Sequence, residues 1–466
     1  MADFITEMRE RRILPAVGVY VASSWVLIEI LDRLVERYLL SPYLTDIVFW
    51  GLYSLIPAVM MVAWTHGKPG KDKATRLEKV GVPINLIATI GLLITVFGDK
   101  DLDLAATRIT VNNELGQQET HYIPSESFRR RMVVFFWENE SGKPELDWLQ
   151  YGITELLVQD LQQDPFVLAN SPWTNFGNGF YPKLKQAGFS DGVNVPRSLM
   201  RKIAVQANRQ YFIEGSLNKE DDQYVLTARI WDTQTLGQLA ELSEKSWDIY
   251  TAVDKLSNEI RDVLEVPQSG GRIVEDVPLT ETYGESEAAL KAYIQGLNAR
   301  LFDNDFEVSN NYFDQAVSID PNFVLGWFLK AVNMIENGNL PAAQEALSKA
   351  QALDYRLPSH DRIQLKRIIY RLAGEHEKLV KFLLLQTQVH DDANSHYTLA
   401  FLYFHTGELE KAREEFLLTL DRDALNVGVY LQLSSIERAM GNIDAAIEYV
   451  HSYHQQRPED IEANMI

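Results

Sequence analysis

The chain has 466 residues, a formal net charge of −21 and no cysteine. This length suits two or three domains, and without cysteine there are no disulfides, thiolate metal sites or thiol nucleophiles. The acidity lies in residues 101–466, which carry 33 Lys/Arg against 55 Asp/Glu, whereas residues 1–100 carry 11 against 10. Because such a surface repels phosphate backbones, we expect no nucleic-acid binding.

Three uncharged apolar runs stand in the first hundred residues, at 13–28, 47–67 and 80–98. A helix needs roughly 20 apolar residues to cross a bilayer, so the runs predict membrane helices near 13–31, 47–67 and 80–98. Glu29 has two interpretations: a functional group inside the bilayer, or a residue at the far interface. A cleaved signal peptide is disfavoured, because no clear small-residue cleavage site follows the first run and two more runs come after it.

Basic residues indicate how these helices are oriented. The loop "THGKPGKDKATRLEK" at 65–79 carries five Lys/Arg, and the N-terminal tail adds Arg9, Arg11 and Arg12. The connection at 32–46 carries two, and "DKDLDLAAT" after the third run carries one. Loops rich in Lys and Arg stay in the cytoplasm. The pattern therefore predicts a membrane protein with a cytoplasmic N-terminus and residues 99–466 on the opposite side, which is the periplasm for the inner membrane of a Gram-negative cell.

A change of pattern near residue 131 marks the first soluble domain. Residues 99–130 are predicted to be a spacer, because the stretch "NNELGQQET" is polar and lacks periodicity. From 131 to 266, short β-branched or aromatic runs alternate with segments whose apolar residues recur at helical spacing. The order is β-α-β-α-β-β-(β)-α. This order predicts a small α/β domain with a mixed sheet, in which the aromatic and Gly-rich segment 171–195 is a long loop or insertion. Residues 267–285 contain Pro and Gly–Gly and predict a linker.

The α/β domain shows no pattern of catalytic residues. No Gly-rich phosphate loop follows a strand, and no histidine lies between residues 122 and 359, which excludes a His-based nucleophile relay within the domain. We therefore expect no catalytic residues, no cofactor and no metal.

A 34-residue period organises the C-terminal part, 286–466. Segments 393–426 and 427–460 match in their glycines, Gly407 and Gly441, and in their alanines, Ala412 and Ala446. Small residues are needed where two helix axes approach, and a glycine ends a helix in the left-handed conformation. Looser copies precede these segments, so we count about five repeats. The period is the tetratricopeptide (TPR) signature and predicts an α-solenoid with a concave groove.

Side chains at the groove positions of each first helix are candidates for binding a protein or peptide partner. Aromatic and arginine side chains anchor such partners, although several of these residues also suit the core between repeats. The candidates are Phe328, Arg371, Tyr397, Phe401, Phe404, His405, Leu431 and Arg438.

Three stretches together resemble a known bacterial membrane family. They are "FITEMRERRILPAVGVYVASSWVLIEILD", "VVFFWENESGKPELDWLQYGITELLVQDL" and "YFIEGSL…YVLTARIWDTQTLGQL". The middle domain is similar to the TolB amino-terminal/FlgO-like domain, which TPR repeats follow in many members. The resemblance implies no catalytic residues. This chain departs from the family pattern in its longer segment 171–195 and in Trp137–Glu138, where Pro–Phe is common.

The sequence supports one leading function and two rivals. The leading hypothesis is a non-enzymatic scaffold, held in the inner membrane, that presents the α/β domain and the TPR groove to the periplasm. The first rival is a regulatory subunit that relays a periplasmic signal across the membrane. The second is an envelope enzyme, which would need a converging acid/base or metal cluster.

Overall fold

The computed structural model describes residues 11–66, 75–174, 180–267, 276–389, 391 and 393–457. Arg9, the loop residues Lys68, Lys71 and Lys73, and much of the linker therefore lie outside the described residues. The chain forms two compact units. The N-terminal unit is Met1–Thr107 with Pro124–Phe128 and Pro267–Gly270, and the C-terminal unit is Arg108–Ile123, Arg129–Val266 and Gly271–Ile466.

Four helices build the described part of the N-terminal unit. They are α1 (Ile13–Tyr38), α2 (Tyr43–Ser54), α3 (Ile56–His66) and α4 (Arg76–Phe97). Three stretches are long and apolar enough to cross a membrane, namely Ile13–Tyr38, Tyr43–His66 and Glu78–Phe97. Glu29 on α1 forms an ion pair with Arg33 one turn later, at 3.0 Å.

The second of these stretches is interrupted at Leu55, between α2 and α3. Pro57 lacks a backbone N–H and its ring crowds the preceding turn, which breaks the regular hydrogen bonding of a helix. Asn85 on α4 bridges the gap: its Nδ2 donates to the Ser54 carbonyl at 3.0 Å, and its Oδ1 accepts from the Ala58 N–H at 3.2 Å. An unbroken helix would join those two backbone groups to each other, so the amide of Asn85 takes the place of one helical hydrogen bond.

A β-hairpin lies in the segment 99–130 that the sequence predicts to be a spacer. Its strands are β1 (Ala106–Asn112) and β2 (Gln118–Pro124). The turn is held by Asn113, whose Oδ1 accepts from the backbone N–H groups of Leu115 and Gln117 at 3.0 and 2.9 Å. The β-branched run in β1 is short and its neighbours are polar, so periodicity alone gives little indication of the strands.

The α/β domain contains a mixed sheet, as predicted, and the described residues form six strands in it. Its strands are β3 (Arg130–Val134), β4 (Glu138–Asn139), β5 (Val167–Asn170), β6 (Tyr211–Glu220), β7 (Gln223–Asp232) and β8 (Gln238–Ser246). The order is β5-β3-β6-β7-β8, and β4 pairs with β6. β3 runs parallel to β5 and β6, whereas β6, β7 and β8 are antiparallel. β5 is therefore an edge strand.

Helices cover both faces of this sheet. They are α5 (Leu149–Leu161), α6 (Tyr181–Gln186), α7 (Arg197–Gln206) and α8 (Ile249–Val263). Val133 and Phe212 pack with α6 and α7 on one face, and Leu425 from the repeats joins the same cluster. Neighbouring residues point to the other face, where α8 packs on β7, β8 and α5. Because Leu425 lies in this core, the domain and the repeats share buried surface.

Within the described residues, the C-terminal helices form five consecutive pairs, which confirms the predicted TPR-like repeats. After the short α9 (Leu279–Tyr283), the pairs are α10 (Glu287–Asn298) with α11 (Phe306–Ile319), α12 (Val324–Glu336) with α13 (Leu340–Ala352), α14 (Ser359–Leu372) with α15 (His376–Val389), α16 (Ala393–Thr406) with α17 (Leu409–Arg422), and α18 (Val429–Met440) with α19 (Ile443–Gln456). Gly407 and Gly441 adopt φ of 81° and 88°, the left-handed conformation expected at the ends of the first helices.

Candidate functional site: the inner face of the repeats

The first helices of the repeats, α10, α12, α14, α16 and α18, form what we call the inner face. Its N-terminal part is covered by the chain's own α/β domain. The Tyr293 hydroxyl on α10 donates to Glu155 Oε1 on α5 at 3.1 Å, and Gln159 Nε2 donates to Asp361 Oδ2 on α14 at 3.3 Å. The concave face that the sequence offers as a partner groove is therefore partly occupied within the molecule.

The β1–β2 hairpin packs against the third repeat at another side of α14. Glu114 at its tip accepts a hydrogen bond from Tyr370 on α14 at 2.8 Å and lies 2.5 Å from Lys366 Nζ. Burial alone would raise the pKa of Glu114, but hydrogen bonds from Lys366, its own backbone and Tyr370 outweigh burial and lower it. The carboxylate at the hairpin tip therefore stays ionised against the third repeat.

The groove candidates from the sequence fall at separate places in the structure. Phe328 on α12 is only 9% exposed and lines a cavity under the α/β domain. Arg371, at the end of α14, is exposed. The others lie on α16 and α18. Phe328 is thus not brought together with the rest.

The candidates on α16 and α18 form what we call the distal surface: Tyr397, Phe401, Phe404, His405, Leu431 and Arg438. Tyr397 and Phe401 are half-buried and pack edge-on against Phe416, with ring centroids 5.7 and 5.4 Å away. Phe404 is half-buried beside the exposed His405, at 5.8 Å between ring centroids. Tyr397 and Phe401 thus serve the repeat core in part.

Leu431 and Arg438 extend the distal surface onto α18. Leu431 is half-buried, while Arg438 is exposed. The first helices of the last two repeats therefore both carry groove candidates, which are aromatic on α16 and include the exposed Arg438 on α18.

A cavity of about 350 Å³ separates the α/β domain from the inner face. α5 and β5 form one wall, and α10, α12, α14 and α16 form the other. Glu155 and Gln159, two of the residues in the α5 wall, are four residues apart, which is about 6 Å along a helix. This volume is within the range of small-molecule sites.

Glu155 is a half-buried carboxyl in this cavity. Its Oε1 accepts hydrogen bonds from the hydroxyls of Tyr283 and Tyr293, each at 3.1 Å. Burial raises the pKa of Glu155 to about 7, against the lowering effect of the two hydroxyls, and the nearby Asp361 carboxyl raises it further. The group is therefore poised between its protonated and ionised forms near neutral pH.

Asp361 is the second carboxyl at this end of the cavity. It is 6% exposed and receives the Gln159 amide at 3.3 and 3.4 Å. Burial raises the pKa of Asp361, against the attraction of the neighbouring His360 and the Gln159 hydrogen bond. The sequence does not indicate that these two carboxyls lie close together, because Glu155 and Asp361 are 206 positions apart and each stands in an ordinary amphipathic helix.

Other charged groups of the cavity wall are hydrogen-bonded within the molecule. Arg422 Nη2 lies 2.8 Å from Asp391, and Arg209 Nε donates to Asn170 at 2.8 Å. The buried His396 bridges Asp391 and Glu415 at 2.9 and 2.6 Å. Burial opposes its charge, but the bonds to these carboxylates prevail and raise the pKa of His396 to about 9. Within the described ranges, no three His, Cys, Asp or Glu side chains are grouped as metal ligands.

Aromatic residues of segment 171–195 have a structural role. The ring of Trp173 lies 4.9 Å from that of Phe136, and the ring of Tyr181 lies 5.3 Å from that of Phe302. Phe302 follows α10 in the first repeat, and its ring is 6.2 Å from Phe136. The described aromatics of this segment thus help to hold the α/β domain against the repeats.

No protein-family model matches the chain, and no curated protein matches it. Structural matches include the Cut9–Hcn1 hetero-tetramer of the APC/C, with 18% identity over 38% of this chain and 35% of that chain, at a TM-score of 0.33. The match therefore spans about a third of that chain's length.

Two further matches span nearly the whole of a smaller protein. MamA is 20% identical over 35% of this chain and 95% of that chain, at a TM-score of 0.27. TTC0263, a thermophilic TPR protein from Thermus thermophilus, is 17% identical over 38% of this chain and 96% of that chain, at a TM-score of 0.32. The identification of TPR-like repeats in this chain rests on its own helix pairs, their spacing and their glycine caps.

Proposed function

We propose that this chain is a non-enzymatic scaffold that binds a protein partner through the distal surface of its repeats. One observation carries the proposal: the first helices of the last two repeats carry Phe404, His405, Leu431 and Arg438, of which His405 and Arg438 are exposed, while the chain's own α/β domain covers an earlier part of the inner face. Aromatic and arginine side chains supply most of the binding energy in many interfaces. Arg438 suits a partner segment that places an acidic residue next to apolar ones.

We further propose that the three apolar stretches anchor the scaffold in the bacterial inner membrane and that residues 99–466 face the periplasm. The apolar side chains of these stretches are mostly exposed: Leu14 is 68% exposed, Trp25 65% and Ile87 69%. Proteins in water rarely leave so large an apolar area uncovered. The five Lys/Arg of 65–79 support a cytoplasmic position for that loop.

The α/β domain is, in this proposal, a TolB amino-terminal/FlgO-like domain. The stretches "VVFFWENES" and "YFIEGSL" carry the resemblance. The first contributes to β3 and β4, and the second to β6, which pairs with both.

Site-specific photocrosslinking tests the scaffold function. Benzoylphenylalanine is placed at His405 on the distal surface, or at Leu417 on α17 as a control that is 43% exposed. We expect a single crosslinked protein from position 405, lost when Arg438→Glu is added, and direct binding of that purified protein to the native chain with at least tenfold weaker binding to Arg438→Glu. Identical adducts from both positions, or a partner indifferent to Arg438→Glu, would contradict the proposal.

A further inference from the structure

Strand β8 forms the edge of the mixed sheet opposite β5. It is nine residues long, and among the described residues it pairs with β7 alone. α8 packs on one face of β8, while Glu241, Ser243 and Lys245 are exposed on the other. Along an edge strand, every second residue directs its backbone N–H and C=O groups away from the sheet, where they are available to another strand.

The usual protection of a long edge strand is weak here. Proteins commonly protect such edges with bulges, prolines or charged side chains. β8 has an irregularity only at its start, next to Ile230 and Trp231 of β7, and it contains no proline. From Ala240 to Ser246 its pairing with β7 is regular. The charged side chains of this regular part therefore decide which strand can pair with it.

These charges are complementary to those of a second β8 strand. When two copies pair antiparallel about Ser243, Glu241 of each copy comes opposite Lys245 of the other, and opposite charges across a strand pair are stabilising. Glu241 already lies 3.0 Å from Arg229 on β7, and Lys245 lies 3.3 Å from Glu220 on β6. The new contacts would therefore continue a row of charges that alternate in sign.

Neighbouring registers do not match the charges. Pairing about Glu241 or about Glu244 would place two glutamates directly opposite each other, which destabilises a strand pair. Pairing about Leu242 would place no opposite charges against each other. The charge pattern therefore favours Ser243 as the centre of the pairing.

Exposed apolar side chains flank the same pairing at both ends. Leu239 is 48% exposed, and Trp247, directly after the strand, is 67% exposed. They stand four positions to either side of Ser243, so Leu239 of each copy comes opposite Trp247 of the other. Contacts between aromatic and aliphatic side chains stabilise strand pairs, and covering both removes apolar surface from water.

We propose that β8 is a dimerisation edge, which pairs antiparallel with β8 of a second copy of this chain about Ser243 and joins the two mixed sheets into one. The two contacts between Glu241 and Lys245 set the register, and the two contacts between Leu239 and Trp247 close its ends. This pairing does not depend on the partner of the distal surface, and it would give the scaffold two such surfaces.

Disulfide crosslinking of the full chain in detergent micelles tests the pairing, because the native chain has no cysteine. Ser243→Cys places two thiols opposite each other at the centre, at the Cα separation that a disulfide needs. Gln344→Cys, an exposed position on α13, is the control. With copper phenanthroline as oxidant, we expect Ser243→Cys to form a covalent dimer at least tenfold faster than Gln344→Cys. Equal rates would overturn the proposal.

Charge variants made in the Ser243→Cys chain test the register. Glu241→Lys brings lysines opposite each other at both contacts, and Lys245→Glu brings glutamates opposite each other, so each variant alone should crosslink at least fivefold more slowly. In a mixture, the two variants match each other at both contacts. Differently tagged copies should therefore crosslink to each other about as fast as Ser243→Cys copies do.

Thermal melts show whether each charge variant is folded. If one is not, the self-crosslinking of the other supplies the test. The proposal would be overturned if a folded charge variant crosslinked to itself at the Ser243→Cys rate, or if two folded variants crosslinked to each other no faster than each does to itself.

Discussion

Glu114 Oε1 lies 2.5 Å from Lys366 Nζ, and the Glu114 side chain is only 1% exposed. This contact joins the tip of the β1–β2 hairpin to the third repeat. The same carboxylate accepts from the Tyr370 hydroxyl at 2.8 Å. An acidic side chain of the hairpin thus pairs with a basic and an aromatic side chain of the third repeat.

Replacing this carboxylate should loosen the hairpin from the repeats. Glu114→Gln keeps an acceptor for Tyr370 but removes the charge facing Lys366, which should lower the free energy of unfolding by about 1.5–3 kcal/mol, as for a hydrogen bond to a charged group. Hydrogen exchange of the hairpin amides and the melting temperature measure the effect. Glu140→Gln, which changes an exposed carboxylate, is the matched control. Equal protection of the hairpin in both variants would show that the contact contributes no stability.

The Glu155 carboxyl should make stability depend on pH. Its pKa is about 7 in the folded chain, against an ordinary value of 4.5. The folded state therefore holds a proton that the unfolded state releases between these values, and the free energy of unfolding falls as pH rises from about 4.5 to about 7. Over this pH range, the titration of Glu155 changes the free energy of unfolding by an amount on the order of 3 kcal/mol.

Glu155→Gln removes that titration. Denaturant unfolding of the full chain at a series of pH values should show a shallower decline for this variant than for the native chain or for Glu345→Gln, an exposed change on α13. A native slope in Glu155→Gln would mean that other groups, such as Asp361, account for the pH dependence.

Position 215 on β6 has to be glycine, because the ring of Trp137 lies directly against its Cα. A Cβ at Gly215 would lie 2.6 Å from two ring carbons of Trp137, whose side chain is 0% exposed. Gly215→Ala should therefore cost about 1–3 kcal/mol through overpacking. In a double-mutant cycle with Trp137→Leu, a smaller and more flexible side chain should relieve part of that cost. Strict additivity of the two changes would contradict the steric explanation.

The sequence predicts the repeats well because their constraints are local. The glycines that end the first helices and the alanines at the close approach of helix pairs recur at a fixed spacing, and Gly407, Gly441 and Ala412 take the expected conformations or burial. The mixed sheet is likewise predicted from alternating runs. The break at Leu55 is harder to predict from the sequence, because it depends on Pro57 together with Asn85 from another helix.

The candidate sites are predicted less well than the elements that carry them. The groove positions follow from the period of the repeat. The burial of Phe328, however, depends on how α5 lies opposite α12 and α14 across the cavity. Glu155 and Asp361 meet only through that packing. Such long-range contacts have no sequence period, so a single sequence does not indicate them.

The proposed function depends most on which side of the membrane the repeats occupy, and the absence of native cysteine makes that side directly measurable. Two single-cysteine variants, Thr75→Cys in the basic loop and Gln344→Cys on α13, place a thiol at exposed positions. Spheroplasts of a Gram-negative host are treated with a membrane-impermeant maleimide, with the cysteine-free chain as the blank. We predict that Gln344→Cys is labelled in intact spheroplasts and Thr75→Cys only after lysis. The reverse pattern would contradict the periplasmic assignment and place the repeats in the cytoplasm.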